Sequence, residues 1–184
     1  MKGTRDIRLS FPYSQQQQQP NASNASNDSN ALILEGFTDS DFAGYPDTRR
    51  STSGYIFKLI NCAINWRSRK QKSVATSTLE AKYIALAFAV KHYLWLLHGL
   101  QEFGYYDITY SLSTDNTGTD DLAQNPRIGD KSKHIQVVFH FTPELVENRT
   151  IIVLRTTSKE SLADICTKTI ISTNFSVLRH LIMN

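Results

Sequence analysis

Beyond residue 30 the chain is written in short apolar and polar runs whose period alternates between that of strands and that of helices. Leu32 to Asp39, Gly54 to Ile60 and Ala63 to Arg67 are rich in aromatic and branched side chains and are separated by turn-forming clusters, Gly44-Tyr45-Pro46-Asp47 and Asn61-Cys62. That pattern predicts three short strands in an antiparallel meander. From Leu79 to Phe103 the spacing turns helical: apolar residues stand at 79, 83, 86, 87, 90, 94 and 97, with no Pro or Gly before Gly99. One long amphipathic helix is expected there. The pattern then predicts a strand over Ile108 to Thr114, a polar helix start at Thr117 to Ala123 and a helix around His134 to Val146. A fifth strand over Thr150 to Arg155 and a closing helix over Glu160 to Lys168 follow. The order β-β-β-α-β-α-α-β-α describes an α/β fold, a mixed sheet whose antiparallel strands come first and whose helices pack on it.

Residues 11 to 35 depart from this pattern. Gln15 to Gln19, Pro20 and the repeated Asn-Ala-Ser of residues 21 to 26 form a polar low-complexity tract. Such a tract buries too little apolar surface to offset its ordering entropy, so a disordered loop running into the first strand is expected. Before it, residues 1 to 10 carry one short alternating trace, Ile7 to Leu9. The folded domain is expected over 36 to 170, with 171 to 184 a C-terminal tail.

Composition narrows the class only partly. With 184 residues, 40% hydrophobic and 20% charged, the chain has material for one domain with a substantial core. Its 20 Lys+Arg against 17 Asp+Glu give a net charge of +3, which permits contact with nucleic acid without demanding it, so the placement of the cations matters more. No apolar run reaches the roughly 18 residues of a bilayer span, and the first residues lack the apolar stretch of a signal peptide. An intracellular, soluble chain with no membrane partner is expected. Cys62 and Cys166 have no metal-ligand spacing and read as buried or half-buried thiols. Asn-x-Ser/Thr matches at Asn21, Asn24, Asn27, Asn148 and Asn174 carry little weight outside a secreted chain.

Four carboxylates fall where strands and helices begin or end. Asp39 closes the first strand, Glu80 opens the long helix, Asp115 ends the fourth strand and Asp164 lies in the last helix. If the first and fourth strands are neighbours, Asp39 and Asp115 meet at one edge of the sheet. Hard divalent cations take oxygen ligands, and two of them about 4 Å apart activate a water and stabilise the leaving oxygen of a phosphodiester. Plainer readings stand beside this one. Asp39 and Asp115 also suit turns after strands, Glu80 suits a Ser77-x-x-Glu80 capping box, and Asp164 suits an exposed helix position.

Several runs together resemble one family. Gly36-Phe37-Thr38-Asp39-Ser40-Asp41-Phe42-Ala43-Gly44, followed by Asp47-Thr48-Arg49-Arg50-Ser51-Thr52-Ser53-Gly54-Tyr55-Ile56-Phe57, resembles the start of the ribonuclease H domain of copia-type retrotransposon Pol polyproteins. Ile64-Asn65-Trp66-Arg67-Ser68-Arg69-Lys70-Gln71, Ser77-Thr78-Leu79-Glu80-Ala81-Lys82-Tyr83, Thr114-Asp115-Asn116, Lys133-His134-Ile135 with His140-Phe141, and Leu162-Ala163-Asp164-Ile165-Cys166-Thr167-Lys168 follow in the family's order. The resemblance covers residues 36 to 170. Lys2-Gly3-Thr4-Arg5-Asp6 resembles the segment that joins such a domain to an upstream reverse transcriptase.

The resemblance implies the ribonuclease H-like fold, with a five-stranded mixed sheet, and cleavage of the RNA strand of RNA–DNA hybrids to a 3′-hydroxyl and a 5′-phosphate. It implies that Asp39, Glu80, Asp115 and Asp164 are catalytic carboxylates holding two Mg²⁺, or Mn²⁺, with Asp39 bridging the ions. Asp41 is a reserve candidate whose plainer role is a turn. The partners implied are the hybrid and the polyprotein's reverse transcriptase, in cytoplasmic virus-like particles and in the nucleus. Arg49, Arg50, Arg67, Arg69, Lys70 and Lys72 are candidates for the hybrid's phosphates, with Thr76, Ser77 and Asn116 at helix starts; the plainer reading is a solvated basic loop with Trp66 in the core.

Some positions depart from the family pattern. Gly118 weakens the helix start after Asp115, Gln136 stands where an acidic residue is usual, Thr142-Pro143 interrupts a helix, and the loop over 156 to 160 has no His. Two readings follow: an active metal-dependent ribonuclease H, or a catalytically inactive relic that at most binds hybrid.

Overall fold

A computed structural model describes residues 32–115, 142–157 and 160–183. Strands β1 (Leu32–Asp41), β2 (Thr52–Leu59) and β3 (Cys62–Lys70) precede helix α1 (Thr78–Glu102); β4 (Ile108–Thr114), β5 (Val153–Arg155), α2 (Asp164–Thr167) and α3 (Ser172–Met183) follow. The five strands lie in the order β3-β2-β1-β4-β5. Pairing is antiparallel between β1 and β2 and between β2 and β3, and parallel between β1 and β4 and between β4 and β5. The mixed sheet with its antiparallel strands first is therefore as expected, and β1 and β4 are neighbours.

The meander closes tightly because Ile60 and Asn61, alone between β2 and β3, both take positive φ, 49° and 63°. A two-residue turn of that hand matches the twist of the strands it joins. α1 begins where Ser77 Oγ accepts the Glu80 N–H at 3.1 Å, a side-chain cap on one of the helix's free amides. It ends at Gly104, whose φ of 88° is the left-handed conformation that stops helices. By length and composition α1 is apolar enough to cross a membrane, but its apolar stripe is spent on the sheet.

The sheet buries two unequal faces. Leu34, Tyr55, Phe57 and Leu112 pack against Leu86, Ala89, Val90 and Tyr93 of α1. Tyr55 and Phe57 stack at 4.4 Å, Tyr93 meets Phe57 edge-on at 5.5 Å, and the Tyr93 hydroxyl donates to the Leu34 carbonyl at 2.9 Å. The buried phenol thus keeps its hydrogen bond. On the other face Ile56, Ala63 and Leu162 meet Leu178 and Ile182 of α3, with Phe37 beside them.

Several expectations need correcting. Residues 172–183, expected as a tail, form α3, because Leu178 and Ile182 lie one helical turn apart and both find the sheet. The helix expected over 160 to 168 is regular only at Asp164–Thr167. The residues before it bond three back (Glu160 N–H to Thr157 O at 3.0 Å, Asp164 N–H to Ser161 O at 3.2 Å), the tighter 3₁₀ pattern. β5 starts at Val153 rather than 150, since the amides of Thr150 and Ile151 bond the Leu145 carbonyl instead of β4. Trp66 is 56% exposed, not in the core. Cys62 is buried and Cys166 half-buried, both free. Residues 142–147 are helical and include Pro143. The tract over 11 to 31, the helix start at 117 to 123, Gly118, Asn116 and Gln136 lie outside the described residues.

Candidate functional site

The site is built at the C-terminal ends of β1 and β4. Their parallel register ends at Thr38 beside Thr114. One step further along each strand, Asp39 and Asp115 come side by side on the face away from α1, because alternate side chains leave a strand on opposite faces. Asp39 is 1% exposed. Across from it on β2 stands Gly54. A Cβ at Gly54 would lie 2.6 Å from Thr167 Cγ2 and 2.7 Å from Cys166 Cβ, so a missing side chain lets α2 settle onto the sheet. Thr167 Oγ1 then donates to Asp39 Oδ2 at 2.6 Å, and Asp164, one turn earlier, is brought to the same corner.

Two lysines enter this carboxylate group. Lys82 Nζ lies 3.1 Å from Asp39 Oδ1 and also pairs with Asp115 Oδ1. Lys168 Nζ lies 3.1 Å from Asp39 Oδ2 and 2.9 Å from Asp164 Oδ1. Burial alone would raise the pKa of Asp39; the Thr167 hydrogen bond and the charges of Lys82 and Lys168 outweigh it and hold the carboxyl below its usual range. Asp164 is pushed up, mainly by burial, with repulsion from Asp39 and Asp115 adding to it and Lys168 opposing. Burial works against the charge on Lys168, but its bonds to Asp164 and Asp39 raise its pKa above the ordinary value.

Of the predicted site residues, Asp39, Asp115 and Asp164 therefore share one ion-paired network, and Glu80 is engaged elsewhere. Glu80 Oε2 accepts from the Thr76 amide at 2.8 Å and from the Thr76 hydroxyl at 2.5 Å, while its own amide is capped by Ser77. That is close to the capping-box role. The residue of α1 that meets Asp39 and Asp115 is Lys82. It stands on the line of Leu86, Ala89 and Tyr93, the stripe that faces the sheet, whereas two residues along a helix point about 200° apart. Lys82, Thr167 and Lys168 were not singled out from the sequence. The signal that could have found Lys82 is its place on the sheet-facing stripe. Asp41 lies at the turn, where a Cβ on Gly44 would collide with its carboxylate.

As arranged, these donors do not fit two divalent ions. Both oxygens of Asp39 already accept from ammonium or hydroxyl groups, and one ammonium lies between Asp39 and Asp115. Among the described residues no three His, Cys, Asp or Glu side chains gather closely enough to hold one ion. What the arrangement does supply is a buried, internally paired charge network.

Cations flank the same end of the sheet. Arg69 pairs in register with Ser53, and Ser53 with Ser40, so Arg69 stands two strands, about 10 Å, from β1. The Arg67 and Arg69 guanidinium carbons lie 5.7 and 5.4 Å from the Phe88 ring centre, and Lys70 Nζ lies 3.9 Å from that of Tyr45. Aromatic faces hold these cations in place without neutralising them. His92 beside them has its pKa lowered, first by burial and then by the charges of Arg67 and Arg69. Arg49, Arg50, Lys72 and Ser77 are exposed; Thr76 is tied to Glu80.

Comparison with known proteins agrees with this fold. No protein-family model matches the chain. It is 38% identical over 150 residues to the retrovirus-related Pol polyprotein from transposon TNT 1-94 of Nicotiana tabacum, across 82% of this chain and 11% of that one. To the Pol polyprotein from transposon RE1 of Arabidopsis thaliana it is 34% identical, across 79% of this chain and 10% of that one. The chain thus spans about one-tenth of the length of these two polyproteins. Among solved structures, the N-terminal ribonuclease H domain of a Mycobacterium tuberculosis protein, solved as a maltose-binding-protein fusion, superposes with a TM-score of 0.53 at 10% identity, covering 82% of this chain and 98% of that one. LC11-RNase H1, isolated from compost, gives 0.50 at 16% identity, covering 74% and 92%. The parallel β1–β4 pair, the meander and the quoted runs have one common source: the chain has the ribonuclease H fold and belongs with the Pol polyproteins of copia-type plant retrotransposons.

Proposed function

We propose that this chain is the ribonuclease H-type domain of a retrotransposon polyprotein and that its ligand is the RNA–DNA hybrid formed in reverse transcription. One observation carries the reading: the acidic strand ends of β1 and β4 and the aromatic-backed cations Arg67, Arg69 and Lys70 stand at the same end of the sheet. Cations spaced along a strand track phosphates, and contacts to phosphate and sugar recognise hybrid shape rather than base sequence. The reverse transcriptase of the same polyprotein is the natural neighbour, and the cytoplasmic virus-like particle the natural place.

In the finer reading the domain cuts the RNA strand with two Mg²⁺ or Mn²⁺ held by Asp39, Glu80, Asp115 and Asp164. The ions would supply the attacking hydroxide and stabilise the leaving oxygen. The ion pairs of Lys82 with Asp39 and Asp115 favour the second reading, a domain that holds hybrid without cutting it. We take that second reading for this chain. Fluorescence anisotropy with a labelled hybrid, set against single-stranded RNA and run in EDTA, tests the ligand. Expected are preference for the hybrid, affinity that falls as salt rises, and weaker binding by the Arg67→Ala/Arg69→Ala pair. A folded chain without hybrid preference would overturn the ligand. The same hybrid incubated with Mg²⁺ or Mn²⁺ tests the chemistry: cutting lost in Asp39→Asn would reinstate the two-ion enzyme.

A further inference from the structure

We infer that the Lys82 ammonium is a resident cation of the strand-end cluster, occupying the place between Asp39 and Asp115 where a divalent ion would otherwise be held. The inference rests on reading this corner as the ribonuclease H-type site. Asp39 is shared by two ammonium groups, one on each oxygen, and each ammonium has a second carboxylate of its own: Asp115 for Lys82, Asp164 for Lys168. Two cations bridged by one central carboxylate is the connectivity of a two-ion site, here made from side chains. Three carboxylates face two ammonium groups, so most of the negative charge that would attract a divalent ion is already met inside the chain.

The two lysines are not equivalent. The Lys168 side chain is 37% exposed, beside an Asp164 side chain at 18%, so it can swing to solvent. That of Lys82 is 11% exposed, and its partners Asp39 and Asp115 are at 0% and 4%. Its helix is fixed on both sides. Gln71 Nε2 donates to the carbonyl of Ala81 at 2.9 Å and to Ser53 Oγ at 2.8 Å, and the stripe running on from Lys82 is locked into the larger core. An ion arriving between Asp39 and Asp115 would have to expel an ammonium that has little room to leave, and breaking a buried pair leaves an unmatched charge. Lys168 is a gate that opens; Lys82 is a plug.

The test measures metal binding rather than turnover. Mn²⁺ binding, followed by the electron paramagnetic resonance of the free ion, and thermal unfolding with and without Mg²⁺ are compared for the full chain, Lys82→Glu, Lys82→Gln and Lys168→Gln. Expected are a Tm of the unaltered chain indifferent to Mg²⁺, and Mn²⁺ binding tighter in Lys82→Glu by about 10–100-fold, the range that single groups around a metal exert. A Mg²⁺-dependent rise in Tm should accompany it. Lys82→Gln should show a smaller gain and Lys168→Gln the least. Should Lys82→Glu fail to fold, Lys82→Gln decides. Mn²⁺ binding as tight in the unaltered chain as in both Lys82 variants would overturn the inference. Hybrid affinity in EDTA is scored separately; its absence would overturn the ligand reading and leave the metal result standing.

Discussion

The two faces of the sheet use different physics. Beneath α1, Tyr55, Phe57, Leu86 and Tyr93 are all 1% exposed or less, and the Phe57 ring touches those of Tyr55 and Tyr93. The opposite face holds a thinner apolar group whose α3 members, Leu178 and Ile182, are 8% and 9% exposed, and its strand-end corner is given to ion pairs. A rigid dry face allows the other to carry charge that would be costly in a core lacking such support. Lys82 belongs to both, rooted in the dry stripe and ending among the carboxylates.

Substitutions can widen or erase that contrast. Phe57→Ala should cost about 3–5 kcal/mol in denaturant unfolding, as large-to-small changes in tight cores do, while Leu178→Ala should fall near the low end, about 2 kcal/mol. Equal losses would mean that the faces share the core evenly. Thr167→Val removes the hydroxyl on Asp39 and should cost about 1.5–3 kcal/mol, the scale of hydrogen bonds to charged groups. If it is silent, the corner is not stabilised through α2.

Alkali should also act through the α1 face. Burial lifts the Tyr83 phenol to about 12, so the folded chain keeps a proton that the unfolded chain loses above about 10. The Tyr83 contribution to stability should therefore be whole below about pH 10 and decline between 10 and 12 by up to roughly 1.4 kcal/mol per unit. Tyr83→Phe should flatten the slope in an unfolding series across that range. Smallest of all, Trp66→Ala on the exposed edge should change stability by no more than about 0.5 kcal/mol.

The sheet was readable because alternation and helical spacing are local signals, and here they agree with the tertiary contacts. α3 was missed because its apolar residues face partners far away in sequence: Leu178 and Ile182 acquire a purpose only once Ile56 and Ala63 are beside them. At the site, spacing identified Asp39, Asp115 and Asp164 as candidates, since strand ends and turns are marked in sequence. Glu80 was ambiguous for a physical reason: a carboxylate three residues past Ser77 serves a cap as readily as a metal. Whether Glu80 or Lys82 meets the strand ends depends on how α1 is rotated on the sheet, which the stripe of Leu86, Ala89 and Tyr93 decides.

Among the described residues β3 is an outermost strand of the sheet, and a long edge invites a second copy to pair with it, the usual first step of aggregation. Arg67 and Arg69, alternate residues near its end, place like charges along that edge, where an approaching copy would meet its own. Removing them to weaken phosphate contact would also lift this repulsion. Such variants should be handled at low concentration, because the cations proposed to meet the hybrid would also keep the molecules apart.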